Sequence, residues 1–117
     1  MLVKKTFAEV NHAVNNACAR LKSLRQDDLS AKAHFGAPDA DGCVTVKITV
    51  NWSGLKVWVT VEEVEKGEWN AFLPTDALSP FMGGNALADS VEEVDDLITL
   101  LRQARNFLSL LQQELTR

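Results

Sequence analysis

Over residues 44–73 apolar and polar side chains alternate almost without a break. Val44, Val46, Ile48, Val50 and Trp52 fall on one side, and Thr45, Lys47, Thr49 and Asn51 on the other. That period of two is the period of a β-strand. Ser53-Gly54 then supplies a two-residue turn, with glycine free to take positive φ. Pairing Trp52 with Leu55 sets Val50 opposite Val57, Ile48 opposite Val59 and Val46 opposite Val61, so apolar meets apolar at every rung. The next turn has two solutions. A two-residue Lys66-Gly67 turn sends Trp69, Ala71 and Leu73 to the polar side. A three-residue Glu65-Lys66-Gly67 loop sets them beside Val57, Val59 and Val61, with Gly67 in the left-handed position that this loop needs. Burial favours the second, because a one-residue slip would turn the whole apolar set to water. Residues 30–37 give a weaker strand pattern: Ala31, Ala33 and Phe35 alternate with Lys32 and His34, but alanine and glycine are poor strand formers.

Helical spacing takes over at both ends. Phe7, Val10, Val14, Ala17, Leu21 and Leu24 recur every three or four residues and predict a helix over 6–25. Thr6 and Glu9 fit a capping box at its start. Ser90 and Glu93 repeat that signature ahead of a long helix ending near Leu115. Val94, Leu97, Leu101, Ala104, Leu108, Leu111 and Leu115 form one seam along it. Ile98, Leu100, Phe107 and Leu110 remain, widening the stripe beyond an ordinary amphipathic face. Either the first helix packs on that side, or a second copy does, making a homodimer through Ile98, Leu100, Phe107 and Leu110. The expected fold is a single α+β domain over 1–117. It has an N-terminal helix, a three- or four-stranded antiparallel meander sheet and a long C-terminal helix, the helices covering one sheet face.

Charge changes this picture in one region. The chain carries a formal net charge of −4. Residues 1–61 hold eight Lys/Arg against five Asp/Glu, whereas residues 62–96 hold one Lys against ten Asp/Glu. An acidic surface drawn from Glu62, Glu63, Glu65, Glu68, Glu92, Glu93, Asp95 and Asp96 suits a protein partner with a basic surface. Other bulk features are ordinary: 46% of residues are apolar and 24% charged, as in a soluble globular protein. No apolar run approaches a membrane span of about 20 residues. The apolar start, Met1 to Val3, is too short for a signal peptide. Two cysteines, Cys18 and Cys43, are too few for a disulfide framework, so a cytoplasmic location is expected.

Candidate chemistry is sparse. His12 and His34 stand apart, and the metal-ligating spacings of cysteine and histidine are missing, so no metal and no cofactor is expected. Cys43 with His34 lacks an orienting group. The glycines of "FMGGN" at 81–85 lack the lysine of a phosphate loop. Phe81 and Met82 beside them suit an apolar tip that inserts into a partner. The register above also leaves Trp58 and Phe72 as diagonal neighbours on the polar sheet face. From this pattern the chain reads as a non-enzymatic protein-binding module: a small regulator, inhibitor or adaptor. It would use the acidic segment 62–96, the Phe81-Met82 tip and the Trp58/Phe72 patch against a basic partner such as a nucleic-acid-handling enzyme. The alternative is a single-stranded nucleic-acid-binding protein using the open sheet face. Lys47, Lys56 and Asn51 would rim the aromatic pair, but no basic stripe reinforces that alternative and the neighbouring Glu62, Glu63, Glu65 and Glu68 oppose it, because phosphate contact supplies most non-specific affinity.

Overall fold

The computed structural model describes residues 2–24, 28–77 and 89–117. Within them the chain runs β1 (Leu2–Lys4), α1 (Phe7–Lys22), β2 (Leu29–Phe35), β3 (Thr45–Trp52), β4 (Leu55–Glu65), β5 (Glu68–Phe72) and α2 (Val91–Leu115). The five strands form one antiparallel sheet in the order β1-β5-β4-β3-β2. The expected meander of three or four strands is therefore extended by β1. Leu2, Val3 and Lys4 pair with Asn70, Trp69 and Glu68 at the sheet edge. Three residues are too few to display a period of two, and their strand character comes from the partner edge.

The β3–β4 hairpin has the expected register, from Trp52 opposite Leu55 to Val46 opposite Val61. Ser53 (φ 51°) and Gly54 (φ 84°) are both left-handed, the geometry whose twist matches the flanking strands. The β4–β5 connection reaches the expected pairing by another route. Glu63 faces Trp69 and Val61 faces Ala71, as the three-residue loop required. Yet Glu65 also pairs with Glu68, and the extra residue is absorbed by an irregularity at Val64. The turn proper is Lys66-Gly67, with Gly67 at φ 81°. A bulge moves one residue out of step without changing the buried face. Leu73 falls beyond the end of β5 and is exposed, so it does not join the inner set.

Val46, Ile48, Val50, Val57, Val59, Val61 and Trp69 form the inner sheet face and are fully buried. Trp69 also satisfies its one polar atom, Nε1 donating to the Lys5 carbonyl at 2.9 Å. Val10, Val14, Ala17 and Leu21 of α1 close over this face, and α1 also packs on α2. Thr6 and Glu9 form the full capping box. The outer ends of the expected stripe, Phe7 and Leu24, are exposed instead, and Phe7 makes an edge contact with Phe35 at 5.8 Å.

α2 lies against β3, β4, β5 and α1, and its buried face is rotated from the expected seam. Leu100, Ala104, Phe107, Leu111 and Leu115 are buried. Leu97, Leu101 and Leu108 are only partly covered, and Val94 is exposed. Leu100 and Phe107, expected on a free dimer face, are thus core residues. Leu110 is partly buried against the core, and Ile98 is exposed. The wide stripe is explained by a helix that touches both the sheet and α1. At the helix start, Ser90 Oγ accepts from Glu93 N, but Glu93 reaches back to Asp89 N rather than completing a box on Ser90. No helix among the described residues is long and apolar enough to cross a membrane.

Candidate nucleic-acid interface

The sheet has a second face. Both helices pack on the inner side, and strand parity sends the other set of side chains outward. The pairings put them in rows. His34, Lys47, Thr60 and Phe72 form one row across β2, β3, β4 and β5. Lys32, Thr49 and Trp58 form the next, and Ser30, Asn51 and Lys56 the third. Trp58 and Phe72 are thus diagonal neighbours on the outer face, as the sequence pattern required, and both are partly exposed.

The rows also gather charge that the linear sequence scatters. β2 contributes Lys32 and His34, β3 contributes Lys47, and β4 contributes Lys56. Ser30, Lys32, His34, Thr49, Asn51 and Lys56 line a shallow trough of about 360 Å³ that contains no carboxylate. Among the described residues neither Lys32 nor Lys56 forms an ion pair; the ion pairs there involve Lys5, Arg20 and Arg117. Asn51 Oδ1 accepts from Gly54 N at 2.9 Å, which turns its amide NH2 away from the turn as a donor. Lys47 Nζ sits 4.7 Å from the centre of the Trp58 ring, a cation–π contact.

The carboxylates that opposed an anionic ligand lie outside the trough lining. Glu63 is not on the surface at all: its inward parity leaves it 6% exposed. Oε1 accepts from Val44 N at 3.0 Å and Oε2 from Gly67 N at 2.8 Å. It therefore leaves the expected acidic surface. Glu62, Glu65 and Glu68 cluster at the Lys66-Gly67 end of the sheet. Lys56 and Glu62 are six residues apart on β4. That is about 20 Å at the strand rise, well beyond a Debye length of about 8 Å at physiological salt. The acidic end therefore does little to cancel Lys56, while Glu62 shares the outer face as the diagonal neighbour of Lys47 and Phe72. Lys32 and His34 were legible only as part of a weak strand, and nothing in the linear order signalled that they would join Lys56.

The other expected site residues divide. Glu92, Glu93, Asp95 and Asp96 are exposed in the first turns of α2. Phe81 and Met82 lie outside the described residues. Cys43 was expected to point away from the core but is buried at its margin. Both thiols are free. Burial pushes the Cys18 thiol up, and burial followed by Asp39, Glu63 and Asp41 pushes the Cys43 thiol up. Raised thiols are poor nucleophiles. Among the described residues no three His, Cys, Asp or Glu side chains gather where a metal ion would fit. The site thus offers cations, hydroxyl and amide donors and two aromatic rings. In comparisons with known proteins the chain matches no family model, no curated sequence and no solved structure.

Proposed function

We propose that the chain is a non-enzymatic binding module whose outer sheet face takes single-stranded nucleic acid. The observation that carries this reading is the gathering of Lys32, His34, Lys47 and Lys56 beside Trp58 and Phe72, with no carboxylate in the lining of the trough that holds Lys32, His34 and Lys56. Phosphates need cations and unstacked bases need ring faces, and an open sheet supplies both at strand spacing. The two free thiols fit a reducing, cytoplasmic setting.

Titration with short oligonucleotides at low ionic strength tests the reading. Trp69 is fully buried but Trp52 is partly exposed, so in a Trp52→Phe background quenching of tryptophan emission would report chiefly on Trp58. Trp58→Ala should weaken binding by about tenfold, within the range for loss of one stacking platform. No binding at low salt overturns the reading. So does polyglutamate that competes as well as the oligonucleotide while Trp58→Ala changes nothing, because the face would then be a general polyanion surface.

A second reading, a small regulator, inhibitor or adaptor that engages a basic protein, has its own support at the start of α2. Val91, Val94 and Ile98 are 73%, 45% and 44% exposed at helical spacing, amid exposed Glu92, Glu93, Asp95 and Asp96. Such an acidic, apolar stripe suits a basic amphipathic partner or a second copy. Capture of a basic partner that is insensitive to salt would count against the first, and a monomer in concentrated solution by sedimentation would remove the second.

A further inference from the structure

The trough has more specific features than a stacking surface needs. It holds Lys32 and Lys56 together, with the His34 ring and the Ser30, Thr49 and Asn51 donors around them. An internal phosphodiester brings one negative charge and two free oxygens. A terminal phosphate monoester brings about −1.5 to −2 charges and three strong acceptor oxygens. The second better matches two ammonium groups that form no ion pair among the described residues, and a ring of donors. Position points the same way. The trough is lined by β2 and its neighbours, and β2 is the last strand of the sheet. A strand stacked on Trp58 and directed into the trough runs out of platform there.

We infer that the trough formed by Ser30, Lys32, His34, Thr49, Asn51 and Lys56 is a subsite for the terminal phosphate of a single strand whose adjacent base stacks on Trp58. This rests on the nucleic-acid reading and adds end recognition to it. Lys32 and Lys56 hold the phosphate oxygens, the Asn51 amide and the two hydroxyls donate to them, and Lys47 leaves the Trp58 ring as the base takes its place.

The test compares one oligonucleotide with and without a terminal phosphate, by Trp58 quenching on the full chain carrying Trp52→Phe. The phosphorylated strand should bind about tenfold more tightly, the gain expected of one to three new charge-assisted hydrogen bonds at moderate strength. Lys32→Met and Lys56→Met should each remove most of that preference while leaving quenching at saturation unchanged; both keep the apolar stem of the side chain. Equal affinity for the two oligonucleotides overturns the subsite and leaves the nucleic-acid reading standing. Failure of both to bind overturns the two together. Inorganic phosphate that displaces the phosphorylated strand at matched concentration also overturns it, since the site would then take the free ion.

Discussion

Glu63 occupies a position that strand parity gives to the core, between the line of valines on β4 and the bulge at Val64. Its backbone N–H donates to the Val44 carbonyl, and its carboxylate returns the contact by accepting from Val44 N. The side chain thus takes the place of a ladder hydrogen bond at the end of the β3–β4 pairing, and its second oxygen holds the Gly67 amide of the turn. Removing it leaves two amides without this partner, one of them buried. Glu63→Ala should therefore lower stability by about 1–3 kcal/mol, read as a lower urea midpoint at unchanged slope. Gly67 is a milder case. A Cβ there would meet nothing closer than the Lys5 carbonyl at 4.0 Å, but its φ of +81° is left-handed. Gly67→Ala should cost roughly 1–2 kcal/mol from backbone strain alone. Glu9 carries a pH dependence. The Thr6 amide, then the Thr6 hydroxyl, then Lys5 hold its carboxyl below the ordinary value of 4.5. A depressed folded pKa stabilises above the unfolded value and is lost as pH falls through the folded one. The contribution is thus intact at neutral pH and disappears below about 4.5. Glu9→Gln should flatten that part of an acid-unfolding curve followed by circular dichroism.

At the scale of elements, α2 separates what periodicity can and cannot specify. A stripe with a surplus of leucine fits two seams that differ by a small rotation, and local spacing does not choose between them. The choice belongs to packing: Phe107 is fully buried, while Val94 is left in water. Phe107→Ala should accordingly cost about 3–5 kcal/mol, as expected for a truncated core aromatic. Ile98→Ala on the exposed side should stay within about 0.5 kcal/mol; thermal melts of the pair decide whether the buried face is assigned correctly. The strands were legible for the opposite reason. In β3, β4 and β5 the alternation, the two glycine turns and the burial of Trp69 all require one register, so independent signals agree. β1 carried no such signal, because three residues gain strand character only from the edge they join. Glu63 was misread as surface because an acid in an apolar line looks like the line's end, until the backbone amides it serves are known.

At the scale of the whole molecule, net charge and local charge disagree. A chain of −4 with ten acids in one segment suggests repulsion of nucleic acid. The fold buries one of those acids, collects Glu62, Glu65 and Glu68 at one end of the sheet, and sets others along the start of α2. The outer face meanwhile receives Lys32, Lys47 and Lys56 from three different strands, a grouping that only the sheet pairing creates. The candidate site was therefore half legible: its rings, Lys47 and Lys56 follow from the register of β3, β4 and β5, whereas Lys32 and His34 come from a strand whose pattern is weak. The two views of charge predict different salt behaviour. For a strand without a terminal phosphate, with Lys32, Lys47 and Lys56 each meeting one internal phosphate, affinity should fall with a log–log slope near −2, since each contact on a single strand contributes about −0.7. Each lysine changed to methionine should reduce that slope by about 0.7. Glu92→Gln with Glu93→Gln, on the helix, should leave it unchanged. If the helix double variant strengthened binding as much as a lysine variant weakened it, the molecule would be acting through its total charge, and the sheet face would have no claim to the ligand.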